Sequence, residues 1–111
     1  MKCESIYKLI KKEIDSFPIY KIGYNEFSLV PMEFKQEDWF TAIKSISFHL
    51  TNNHCFEDVS SNTLIKVTEK VKKFLIKKFN RVISYTETWN VEDNRIEFEI
   101  TYRRKKNRLS L

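Results

Sequence analysis

From Arg81 to Arg104 the chain reads RVISYTETWNVEDNRIEFEITYRR, two runs of β-branched and aromatic residues on either side of Asp93-Asn94. Asp and Asn tolerate the left-handed backbone that a two-residue hairpin loop demands, so the pattern predicts an antiparallel hairpin. With those two residues as the loop, Val91 faces Ile96, Trp89 faces Phe98, Glu87 faces Ile100, Tyr85 faces Tyr102 and Ile83 faces Arg104. This register sorts the side chains. One face collects Ile83, Tyr85, Trp89, Val91, Ile96, Phe98, Ile100 and Tyr102; the other collects Ser, Thr, Asn, Glu and Arg. Trp89 and Phe98 are therefore expected to be cross-strand neighbours with both rings buried. An isolated hairpin is marginal in water, so the residues upstream must cover its apolar face.

Upstream, Cys3, Ile6, Ile10, Ile14 and Phe17 recur at three- and four-residue steps, which predicts an amphipathic helix over Lys2 to Phe17 that Pro18 stops. Between Pro18 and Met32 the pattern alternates and predicts two short strands. Asn25-Glu26 is expected to turn between them, and Pro31 to end the second. Glu33 to Asn53 fits two patterns. As a helix, Asp38 caps the start and Trp39, Phe40, Ile43, Ile46 and Leu50 share a face; as a strand, Ile46, Phe48 and Leu50 alternate with Ser47 and His49. The acidic pair Glu37-Asp38 suits a helix amino terminus, so the helix is preferred, with Asp38 to Asn53 not necessarily helical throughout. NNHCFEDVSS, residues 52–61, is loop by composition. Ser61 or Asn62 then caps a helix reaching about Phe79, with Leu64, Val67, Val71, Phe74 and Leu75 as its core stripe. Ile65, Ile76 and Phe79 widen the apolar arc, which predicts a well-buried helix. The expected fold is α+β: an antiparallel sheet including the C-terminal hairpin, with two or three helices packed on one face.

The 111 residues fit a single globular domain over 1–104 and a basic C-terminal tail over 105–111. Gly23 is the only glycine, which argues against the glycine-rich loops that cradle nucleotide phosphates. No nucleotide cofactor, other cofactor or metal is expected. No apolar run has membrane-spanning length, and Glu4 stands where a signal peptide would carry positive charge, so the expected location is the cytoplasm. Cys3 and Cys55 are then expected to be reduced and packed. The net charge of +5 is unevenly spread. Asn62 to Arg81 holds seven Lys or Arg against one Glu, and Arg103 to Leu111 holds five against none, so a basic helix and tail are expected on a mildly acidic body.

Four groups of residues could carry function. Glu87 is the one carboxylate on the hairpin's apolar face, where burial would suit it to general acid or base chemistry; a bulge that returns it to water is the simpler outcome. His49, His54, Cys55, Glu57 and Asp58 cluster, but the five-residue step between the histidines matches no familiar metal spacing. A small ribonuclease would need a base, a histidine or second acid, and phosphate-holding arginines; Glu87, His49 or His54, and Arg81, Arg103 or Arg104 supply those residue types without a motif. Lys66, Lys70, Lys73 and Lys77, with Arg103, Arg104, Lys105, Lys106 and Arg108, could meet an acidic partner or a phosphate backbone, although a lysine stripe is also how solvated helices look. With no catalytic motif, the expected function is a non-catalytic protein-binding module of the immunity, antitoxin or inhibitor kind. It would act by charge and shape complementarity on a protein partner. The alternative is a nucleic-acid binder or small ribonuclease using the basic helix and tail.

Overall fold

The computed structural model describes residues 8, 10–11, 17–38, 43–79 and 81–103. It contains five antiparallel strands, β1 (Ile19–Ile22), β2 (Asn25–Asp38), β3 (Ile43–Asn52), β4 (Val82–Asn90) and β5 (Arg95–Arg103), ordered β1-β2-β3-β5-β4. One helix, α1 (Ser61–Lys78), is described from end to end. The chain leaves β3, crosses as α1, and returns as β4 on the outside, so that β5 is inserted between β3 and β4. The α+β class holds, but two or three helices on one face do not: the sheet dominates and α1 covers its apolar side. Lys8, Ile10 and Lys11 are helical, with Ile10 buried and both lysines exposed, as the amino-terminal stripe requires at those positions. Cys3, Ile6 and Ile14 lie outside the described residues.

Residues Ile43 to Asn52, preferred as helix, form a central strand instead. Ile46, Phe48 and Leu50 are buried while Ser47 and His49 between them are only partly covered, and pairing on both sides, with β2 and β5, rewards that two-residue period. The backbone of Asp38, expected to cap that helix, closes β2 opposite Ile43. Trp39 and Phe40 lie outside the described residues.

The first hairpin also turns elsewhere than expected. Gly23 and Tyr24 make the bend, with Gly23 at φ +59, and Asn25 already pairs with Ile22. Glycine adopts that left-handed backbone without a Cβ clash. Pro31 does not end β2. Because β1 pairs only as far as Ser28, β2 is an edge strand at Pro31, where a missing amide hydrogen is tolerated, and the ladder shifts register between Pro31 and Glu33.

At the C-terminal hairpin the faces are as expected from Ser84 onward and the register is not. The loop has four residues, Val91 to Asn94: Val91–Asp93 make a 3-10 turn and Asn94 alone takes left-handed backbone. Asn94 N–H donates to the Val91 carbonyl at 3.0 Å. A two-residue loop would have needed positive φ at Asp93 as well. The strands are thereby offset by two residues, so Trp89 faces Ile96, Glu87 faces Phe98 and Tyr85 faces Ile100. An even offset keeps the side chains from Ser84 onward on their faces, but the bulge between Val82 and Ser84 sets Val82 opposite Tyr102 and leaves Ile83, expected on the apolar face, 54% exposed. Phe98 is buried as expected, but Trp89 is 38% exposed because β4 is the outer strand.

The core joins Phe27, Leu29, Ile46, Phe48, Ile96, Phe98 and Ile100 from the sheet to Leu64, Val67, Val71 and Leu75 of α1. Phe79 closes one end, its ring 4.7 Å from Tyr102 and 6.2 Å from Phe48. The helix is capped by Ser60, one residue earlier than expected, whose Oγ accepts the Thr63 amide at 3.2 Å. Asparagine side chains tie down the loops. Asn53 Oδ1 accepts the Glu26 amide at 2.9 Å while its Nδ2 donates to the Tyr24 carbonyl at 3.0 Å. Asn94 Oδ1 accepts the Phe56 amide at 2.8 Å, joining the loop after β3 to the hairpin end.

Candidate functional site

Both sides of the sheet carry residues that the sequence singles out, and the sheet keeps them apart. Glu87 stands on the side covered by α1, opposite Phe98, whereas His49 pairs with Glu97 on the uncovered side. His54 lies in the loop beyond β3, its Nδ1 3.0 Å from Asn53 Oδ1. Glu87 and His49 are thus separated by the thickness of the sheet, and the base-plus-histidine pair of a ribonuclease is not assembled from them. Cys55 is exposed rather than packed. It sits at the start of a short turn, and Phe56 and Val59 take the buried positions there. Among the described residues no group of three or more His, Cys, Asp or Glu side chains is arranged to hold a metal ion.

Glu87 is exposed at the sheet margin, yet its carboxylate is held. The Tyr85 hydroxyl donates to Oε1 at 2.6 Å and Trp89 Nε1 donates to Oε2 at 2.7 Å. Alternation along β4 places residues 85, 87 and 89 on one side, so the two aromatic donors flank the acid from either direction. Tyr85 also lies under Lys72, whose Nζ is 5.5 Å from the ring centroid. Burial of the phenol, reinforced by its hydrogen bond to Glu87 and by the carboxylate charge, holds the Tyr85 pKa well above its ordinary value.

This clamp forms one wall of a groove of about 400 Å³ between β4 and α1, whose other wall is Ile65, Thr68, Glu69 and Lys72. A second hollow of about 380 Å³ continues along the helix past Lys73, Ile76 and Lys77. Ile65 and Ile76, expected to be buried, are 49% and 42% exposed. Ile65 lines the groove with Tyr85, Glu87 and Trp89, whereas the hollow at Ile76 is lined by helix residues. With Trp89 the two isoleucines put exposed apolar surface beside charge. Lys66, Lys70, Lys72, Lys73, Lys77 and Lys78 are all exposed on α1 against the single acid Glu69. Arg81 is exposed where the chain enters β4, at φ 63, and Arg103 is exposed at the end of β5. Arg104, Lys105, Lys106 and Arg108 lie outside the described residues.

The uncovered side of the sheet is not the acidic counterpart that the charge count implies. Glu33, Glu97 and Glu99 share it with Lys35, Arg95 and Arg103, and Glu33 to Lys35 and Glu97 to Arg95 are ion pairs of 3.5 and 3.4 Å. The described charge is therefore concentrated on the helix side and balanced on the other.

The chain matches no protein-family model, no curated protein and no solved structure. No helix among the described residues is long and apolar enough to cross a membrane.

Proposed function

We propose that the protein is a non-catalytic binding module that engages an acidic protein partner through α1 and the groove between α1 and β4. The observation that carries this reading is the exposure of Ile65, Ile76 and Trp89 beside six exposed helix lysines. Apolar centres ringed by charge are how specific interfaces combine affinity with orientation, and lysines select a partner of opposite sign. An inhibitor, immunity or antitoxin role, in which a partner is blocked rather than transformed, is the form of this function consistent with such a surface.

The experiment uses the intact protein as bait at low and high salt, with nuclease present. A partner retained by the wild type, resistant to salt, and lost from an Ile65→Asp/Ile76→Asp variant is the expected result. The lysines also favour a second reading, a nucleic-acid binder. In that case RNA is retained at low salt, the isoleucine variant behaves as wild type, and each lysine contact removed flattens the slope of log affinity against log salt by about 0.7 to 0.9.

A further inference from the structure

The outer margin of β4 carries an inference that rests on its backbone edge rather than on the α1 surface. β4 has a neighbour on one side only, so from Val82 to Asn90 an outward row of backbone donors and acceptors faces no other described strand. Sheet edges are normally blunted by short strands, lysine, proline or bulges. The other margin follows that practice: β1 has four residues, and the β2 stretch beyond it contains Pro31, Lys35 and two register shifts. β4 contains neither lysine nor proline, and its one irregularity, between Val82 and Ser84, leaves the rest regular.

We propose that β4 pairs antiparallel with β4 of a second copy of this chain, centred on Thr86, so that two sheets become one. About that residue the strand VISYTETWN sets the hydroxyl side chains Ser84 and Thr88 at equal distances on the same face. In this register Ser84 faces Thr88 of the other copy and Tyr85 faces Glu87, each pair occurring twice about the two-fold axis, and the paired stretch lies beyond the irregularity at Ile83. Charge selects this register over its neighbours. Only even shifts keep like faces together. Centring on Glu87 would set carboxylate against carboxylate, and centring on Tyr85 would bring Glu87 against the bulge at Ile83; centring on Thr86 keeps the two carboxylates apart and leaves Ser84 to Thr88 regular. An acid on the inner side of an edge strand can also serve to repel an incoming strand. Here both carboxylate oxygens already accept hydrogen bonds from Tyr85 and Trp89, so the incoming strand meets a satisfied group.

The experiment is register-specific cross-linking of the full chain with Cys3 and Cys55 replaced by serine. Directly opposed residues in an antiparallel pair have Cα atoms about 4.5 to 5.5 Å apart, within disulfide reach. Thr86→Cys should therefore form a disulfide-linked dimer on mild oxidation. Ser84→Cys alone should not, because its own counterpart lies roughly 13 Å along the strand, whereas Ser84→Cys mixed with Thr88→Cys should. These side chains are exposed, so the variants retain the core. Sedimentation of the wild type should independently show a dimer at sub-millimolar concentration. A wild type that stays monomeric there, or cysteines that cross-link irrespective of position, would overturn the proposal. The α1 reading, which shares Trp89 with this margin, is judged separately by partner capture with the Ile65→Asp/Ile76→Asp variant, whose substitutions lie off β4.

Discussion

The two strands of the C-terminal hairpin are built from similar residues and meet opposite fates. In β5 every inward position, Ile96, Phe98, Ile100 and Tyr102, is at most 2% exposed; in β4 no residue is buried. Their propensities do not explain this, since Val, Ile, Tyr, Thr and Trp are as suited to strands as Ile, Phe and Tyr. Place in the sheet does: β5 has strands on both sides and α1 above it, and β4 has a described strand on one side only. A strand's burial belongs to its neighbours as much as to its own letters.

Truncation at matched inward positions should separate the two strands most. Phe98→Ala is expected to destabilise the fold by about 3 to 5 kcal/mol, as large-to-small core changes do, measured by urea unfolding. Trp89→Ala removes a larger ring and should lower stability by only about 1 to 2 kcal/mol, because part of that ring is already in water. Equal losses would break the comparison. Amide exchange sharpens it: β5 amides should exchange only by global opening, whereas the β4 amides that point away from β5 should exchange far faster in a dilute monomer.

A smaller effect concerns alkaline pH. The Tyr85 phenol has its pKa raised above the ordinary 10.0, so the unfolded chain ionises there first. The stabilising contribution is complete below about pH 10 and is lost as pH rises toward the folded value. Tyr85→Phe should therefore flatten the fall in urea midpoint above about pH 10, while leaving Glu87 with Trp89 as its remaining donor. Smallest of all, Thr88→Ala on the uncovered side of β4 should change stability by less than about 0.5 kcal/mol.

The same dependence on neighbours decides what could be read from the chain. Alternation in residues 82–103 and the stripe Leu64, Val67, Val71 and Leu75 are local patterns, and both appear in the structure. The hairpin offset was hidden because Asp93 and Asn94 are equally at home in a two-residue and a four-residue loop. Residues 43–52 misled because Ile43, Ile46 and Leu50 satisfy a helical step while Ile46, Phe48 and Leu50 satisfy a strand, and flanking partners settled it. The lysine stripe of the candidate surface was legible. The exposure of Ile65 and Ile76 was not, since a broad apolar arc says nothing about how far the sheet extends beneath it. The acid at position 87 was marked out by its face, and its two aromatic donors follow from the same alternation once the strand is known to be an edge.

The bond from the Trp89 indole to the Glu87 carboxylate makes this margin optically addressable. The ring is part in water with its N–H fixed on an anion, so its excited state is sensitive to whatever displaces that water. With Trp39 replaced by phenylalanine, Trp89 would be the sole indole in the chain. Its emission should shift to the blue when β4 is covered and return to the red on dilution. Occupancy of the sheet margin could then be followed without a label, using a chromophore the strand already contains.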